Sequence, residues 1–109
     1  MIRLFVYGTL MDRALVQQLT GRRFRTQAAL LHGHRKVVPQ SGYPYIVTDS
    51  GGTVEGIVLH DVDTVALRAF DAYEEEGELY RRTAVVVTVD AQPTPAFAYV
   101  GISDAHSQS

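Results

Sequence analysis

The 109-residue chain contains no cysteine. That excludes disulfides, thiolate metal sites and cysteine nucleophiles. No apolar run approaches the ~20 residues that span a bilayer as a helix. The opening Met1-Ile2-Arg3-Leu4 is too short an apolar run for a secretion signal. Basic charge is sparse: ten Lys and Arg stand against twelve Asp and Glu, for a net charge of −2, and the densest basic stretch is Gly21-Arg22-Arg23-Phe24-Arg25. Neither a nucleic-acid partner nor a membrane partner is expected. The chain has no Gly-x-Ser-x-Gly elbow and no phosphate loop ending in Gly-Lys-Ser/Thr. Thr9, Ser41 and Asp49 form no recognisable triad with any histidine. His32-Gly33-His34 puts two imidazoles on one face of a regular strand, but no third ligand is evident. The expectation is a cytoplasmic protein without metal or cofactor.

What remains is an ordinary globular balance, 46% hydrophobic and 20% charged, at a length suited to one core. One domain is expected over residues 1–102, followed by a disordered polar tail over 103–109. Ile2 to Tyr7 reads as a central strand. Met11 to Leu19 reads as a short helix, with Leu15, Val16 and Leu19 on one face and Gly21 just past its end. Arg23 to Leu31 suits a strand, and Gly33 marks its end or a bulge. Arg35 to Val38 and Tyr45 to Val47 read as short strands around the turn-rich Pro39-Gln40-Ser41-Gly42-Tyr43-Pro44. Asp49-Ser50-Gly51-Gly52 has the chemistry of a hairpin turn. Thr53 to His60 follows as a strand, with Val54, Gly56 and Val58 on one face and Ile57 and Leu59 on the other.

Asp61 to Tyr73 carries the clearest helical period: Val62, Val65, Ala66, Ala69, Phe70 and Tyr73 form one stripe, and Asp61 or Asp63 can cap it. Leu79 to Val89 is a β-branched strand, Asp90 to Pro95 a turn, and Ala96 to Val100 a last strand. Many strands with two helices predict an α+β fold rather than a regular βαβ alternation.

Two segments could carry chemistry. In Leu4-Phe-Val-Tyr-Gly-Thr-Leu10 an apolar strand runs into Gly8 and then into the start of a helix. Gly8 permits positive φ and close approach of a ligand to the main chain. The amides that follow lack helical partners, so the turn can hold a carboxylate or an oxyanion. It can equally be a plain strand–turn–helix junction. The second segment is Phe70-Asp-Ala-Tyr-Glu74. Glu74 extends the edge formed by Phe70 and Tyr73, so it can point inward while Glu75 and Glu76 face water. Burial raises a carboxyl pKa, which suits a group that takes a proton and returns it. A solvated acidic helix end is the alternative, although glutamates are disfavoured at the negative end of a helix. Tyr80 can face a ligand or Glu74, or sit in the core. Arg82 is expected to pair with Asp71 or another acid. Tyr43 and Tyr45 form either a pocket rim or a surface turn.

The Tyr-Gly-Thr-Leu turn at residue 7, the Asp71-x-x-Glu74 about 65 residues later and Tyr80-x-Arg82 entering a Val-rich strand together resemble the gamma-glutamylcyclotransferase-like superfamily, and within it the AIG2-like branch. Gly42-Tyr43-Pro44 and Val54-Glu55-Gly56 fall where that family has corresponding segments. The resemblance spans roughly residues 2 to 101. It implies a compact, mixed, largely closed β-barrel flanked by two short helices. It also implies a cofactor-free cyclotransferase acting on a gamma-glutamyl amine or peptide and releasing 5-oxoproline. Glu74 is then the acid/base, and Tyr7, Gly8, Thr9, Leu10 and Tyr80 bind substrate. The family usually shows one Glu directly before Gly, whereas two further glutamates precede Gly77 here. Matching on the glycine would select Glu76. Matching on Asp-x-x-Glu selects Glu74, and that register is preferred because a helix holds its spacing while a loop absorbs insertions. A module that kept the cavity and lost catalysis is the alternative function.

Overall fold

The computed structural model describes residues 1–40, 44–77 and 79–101. The expected tail over 103–109 and the segment Ser41-Gly42-Tyr43 lie outside the described residues. Five strands and two α-helices follow in the order β1 (Ile2–Val6), α1 (Arg13–Thr20), β2 (Thr26–Val37), β3 (Tyr45–Val62), α2 (Thr64–Glu74), β4 (Tyr80–Val89) and β5 (Gln92–Gly101), with a 3-10 turn at Thr9–Met11 before α1. The strands close into a barrel in the order β1-β3-β2-β4-β5. All neighbours are antiparallel except β1 and β5, which run parallel with Leu4 opposite Phe97 and Phe5 opposite Ala98. No described helix is long and apolar enough to cross a membrane.

The continuous apolar run of β1 has its reason in burial on both sides. Phe5 and Tyr7 face the barrel interior with Leu31, Ile46, Val58, Val87 and Ala98. Leu4 and Val6 face outward, where Leu10, Val16, Leu59, Val62, Ala66 and Phe70 pack the two helices against the sheet. Phe5 fits because position 56 is glycine. A Cβ there would stand 2.4 Å from the Val6 carbonyl oxygen and 2.8 Å from the Phe5 ring.

The caps settle where the helices begin. Asp12 accepts the amides of Ala14 and Leu15, so α1 starts at Arg13, and Gly21 closes it at φ 72°. Of the two candidate caps of α2, Asp63 accepts the Ala66 amide at 2.8 Å. Arg22 pairs with the Asp63 carboxylate at 2.5 Å and lies over the Phe24 ring, fixing the loop after α1 to the start of α2.

Three expectations are corrected. Asp49 to Gly52 is no hairpin turn but lies within the long β3. Its local turn chemistry is present, since the Gly51 amide donates to Asp49 Oδ1 at 3.2 Å. The turn is used as a bulge: His32 pairs with Thr53 and His34 with Thr48, so residues 49–52 stand opposite Gly33 alone. Gly52 runs so close to β2 that a Cβ would lie 2.2 Å from the His34 carbonyl oxygen. The short strands expected at Arg35–Val38 and Tyr45–Val47 are therefore the ends of β2 and β3. Finally, the β4–β5 turn is only Asp90-Ala91, both at positive φ, and Pro93 and Pro95 lie inside β5 at exposed positions.

Candidate active site

β1 delivers its chain end to the mouth of a cavity of about 70 Å³, lined at one side by Tyr7, Gly8, Thr9 and Leu10 and at the other by Tyr73, Glu74 and Tyr80. An ordered water needs ~10–15 Å³ on this measure, so the space holds about five to seven water positions, on the scale of a compact polar group. The 3-10 bonds of the turn use the Met11 and Asp12 amides, which donate to the Gly8 and Thr9 carbonyls. The N–H groups of Gly8, Thr9 and Leu10 donate to no other described residue. Gly8 has φ −129°, so the positive φ that a glycine permits is not used here. A Cβ at Gly8 would meet no atom of another described residue within 4 Å. Among the described residues the glycine thus leaves open space where a side chain would stand.

Glu74 is the last residue of α2 and lines the cavity. The carboxyl makes no hydrogen bond or ion pair with any described residue. Burial alone pushes its pKa up to about 7, far above the ordinary carboxylate range. Glu75 takes the left-handed C-cap at φ 53° and is exposed. Glu76 is exposed, and its Oε2 accepts the Arg82 amide at 3.3 Å. Among the described glutamates, Glu74 and Glu75 line the cavity and Glu76 does not. Phe70, expected beside it as a wall, is instead fully buried in the helix-side core and does not line the space.

The tyrosines close the site. Tyr7 donates its hydroxyl to the Tyr99 carbonyl at 2.5 Å, and burial together with the nearby Tyr80 and Glu74 pushes its phenol pKa above the usual value. Tyr80 is buried and donates to the Pro44 carbonyl at 3.0 Å. The Tyr73 and Thr9 hydroxyls are 2.9 Å apart, joining α2 to the turn. Lys36 donates to the Tyr7 carbonyl at 3.1 Å. Arg82 makes its expected ion pair with Asp71, whose other oxygen accepts the Tyr99 hydroxyl at 2.6 Å. Tyr45 packs against the helix-side core. His32 and His34 flank the bulge at Gly33, where His32 Nδ1 contacts Thr53 Oγ1 and His34 Nδ1 contacts the His32 carbonyl. Among the described residues no group of three or more metal-ligating side chains comes together.

Sequence reasoning missed Tyr99, Lys36 and Pro44. Tyr99 was findable in principle: once β4 and β5 are paired, Tyr99 stands opposite Arg82 and hence beside Asp71. Nothing in the local sequence brings Lys36 to Tyr7, because that contact depends on barrel closure.

Comparison with known proteins places the chain in a family. The family described as "Gamma-glutamyl cyclotransferase, AIG2-like" matches residues 4–108. Protein AIG2 C of Arabidopsis thaliana is 37% identical over 84 residues, covering 76% of this chain and 50% of that protein. AIG2-like protein C of the same organism is 35% identical over 88 residues, covering 80% and 51%. The chain thus spans about half the length of the curated relatives it matches. A solution structure of an Arabidopsis thaliana protein superposes with a TM-score of 0.85 at 27% identity, covering 98% of this chain and 72% of that one. A structure described as gamma-glutamyl cyclotransferase has a TM-score of 0.75 at 16% identity, covering 93% and 66%, a likeness of fold alone. On the family match and the curated relatives together, the chain belongs to the AIG2-like gamma-glutamyl cyclotransferase family.

Proposed function

We propose that the protein is a cyclotransferase acting on a gamma-glutamyl amine or peptide. The observation that carries this reading is the Glu74 carboxyl: it lines a small cavity, burial raises its pKa to about 7, and the same cavity is lined by a turn whose Gly8, Thr9 and Leu10 amides donate to no other described residue. A carboxyl poised near neutrality can both accept and return a proton.

In this reading the glutamyl α-carboxylate, or the oxyanion that develops later, sits on the amides of Gly8, Thr9 and Leu10. Glu74 takes a proton from the substrate's α-ammonium. The freed nitrogen lone pair attacks the γ-carbonyl carbon, and the new C–N bond closes a five-membered ring. The C–N bond to the amine then breaks, its electron pair leaving with the amine nitrogen. Two protons depart from the α-nitrogen and two arrive on the leaving nitrogen, with Glu74 as carrier. The products are 5-oxoproline and an ammonium, and no water is consumed. The reaction needs no enzyme nucleophile. Holding the chain curled supplies the proximity that makes attack efficient.

The test is 5-oxoproline release from a panel of gamma-glutamyl amines and peptides, by the unmodified protein and by Glu74→Gln. Release that depends on Glu74 supports the reading. Saturable binding of the panel without any 5-oxoproline would replace it with a non-catalytic binding module.

A further inference from the structure

The cavity is electrostatically one-sided. Its lining includes two carboxylates, Glu74 and Glu75, and among the described residues no lysine, arginine or histidine. The nearby cations are engaged elsewhere: Lys36 at the Tyr7 carbonyl, on the side of the turn, and Arg82 at Asp71. Of the described lining residues only Glu75 is exposed. The cavity therefore opens to solvent beside this side chain. With space for about five to seven water positions inside, a glutamyl group fills the cavity and the rest of a conjugate must leave past Glu75.

The backbone of Glu75 is held in place. Its amide donates to the Ala72 carbonyl at 3.3 Å and its carbonyl accepts the Leu79 amide at 3.0 Å. It also occupies the left-handed region at φ 53°, where helices usually place glycine. A glutamate there carries a steric cost that a glycine would not, and this cost sits at the exposed residue among the described ones lining the cavity. Strained residues of this kind concentrate at ligand sites.

We propose that Glu75 is a specificity-determining residue, selecting gamma-glutamyl conjugates whose leaving amine carries a second, positively charged group and disfavouring those whose leaving half is anionic. This rests on the cyclotransferase reading for the word leaving, but the charge preference is a property of the cavity mouth. An anionic leaving half meets an unneutralised carboxylate, whereas a cationic one is attracted at partly screened range.

The experiment uses three gamma-glutamyl amides of matched length, made from 1,4-diaminobutane, butylamine and 4-aminobutyric acid. Both 5-oxoproline release and equilibrium binding are measured. The expected order of kcat/KM is cation, neutral, anion, with about a tenfold span between the extremes that narrows as salt shortens the Debye length to ~3 Å at 1 M. Glu75→Gln should flatten the order and Glu75→Lys should invert it. Glu75→Gly removes the charge while suiting the backbone, so it keeps the test informative if the other variants fold poorly. An order that survives in both Glu75→Gln and Glu75→Gly, or three conjugates handled equally by the unmodified protein, overturns the proposal. Charge-ordered binding without 5-oxoproline release would sink the cyclotransferase reading and leave the Glu75 selectivity standing.

Discussion

Tyr73 and Thr9, 64 residues apart in the chain, meet through their hydroxyls at 2.9 Å. One stands immediately before Glu74 on α2 and the other lies in the turn that follows β1. This contact ties the helix end that carries the carboxyl to the turn whose Gly8, Thr9 and Leu10 amides donate to no other described residue. Tyr73→Phe removes the contact while keeping the ring. A stability loss of about 0.5–1.5 kcal/mol is expected. If the contact positions the site, kcat falls more than the stability change explains, and Thr9→Val reproduces the effect. An unchanged kcat in both variants would reduce the bond to a structural one.

Glu74→Gln keeps the shape and the capacity to hydrogen-bond but cannot carry a proton. Turnover is expected to drop by roughly 10² to 10⁴, with circular dichroism unchanged. Glu76→Gln, at an exposed position outside the cavity, should remain active. The reverse pattern, active Glu74→Gln and inactive Glu76→Gln, would show that the acid/base register had been placed on the wrong glutamate.

The pH dependence follows from the same group. If Glu74 accepts the first proton, its carboxyl must be ionised, so kcat/KM should rise with pH through about 7, the value to which burial raises Glu74. Stability runs the other way. Because the folded pKa lies above the unfolded one, the folded state binds more protons between the ordinary carboxylate range and about pH 7. Glu74 thus contributes a loss of stability as pH rises across that window, and nothing further above it. Urea unfolding of the unmodified protein and Glu74→Gln should diverge over this range, with the variant equally or more stable at pH 7. A markedly less stable variant would point to a stabilising partner of Glu74 beyond the described residues.

Gly8→Val addresses the turn. No atom of another described residue stands within 4 Å of a Cβ placed there, and the backbone is not at positive φ. The substitution should therefore act by filling ligand space. Binding of a gamma-glutamyl amine, followed by calorimetry, should be lost while the melting temperature shifts little. Undiminished binding would remove the turn from the site.

Asp71 holds Arg82 with one oxygen and the Tyr99 hydroxyl with the other. Asp71→Asn weakens both, and because the pair is partly exposed the expected cost is about 1–2 kcal/mol, read from the urea midpoint. Tyr99 lines the cavity and Tyr7 bonds its carbonyl, so KM should also rise modestly. A loss of turnover as large as that of Glu74→Gln would mean that Asp71 has a more direct part.

Several features were legible in the sequence because their causes are local. The period of Ala66, Phe70 and Tyr73 is a property of one helix, so it announced α2 and placed Glu74 on the inward edge before any partner was known. The unbroken apolar run of β1 marked a strand buried on both faces. Gly21 marked the end of α1, and Asp61 or Asp63 the start of α2, through chemistry confined to a single turn; the structure chose Asp63. The features that were not legible depend on pairing. Asp49 to Gly52 carries true turn chemistry, yet only the neighbouring strand decides that the turn becomes a bulge opposite Gly33 rather than a hairpin. Pro93 and Pro95 read as turn residues because proline lacks an amide donor, but exposed positions in β5 tolerate that lack. Barrel closure alone brings Lys36 to Tyr7 and Tyr99 to Asp71. The chain by itself determined which residue types can do the chemistry and which helix edge carries Glu74. The tertiary structure decided that this carboxyl is desolvated in a cavity, its pKa raised to about 7, because desolvation is produced by walls drawn from β1, α2, β4 and β5 that meet only when the barrel closes.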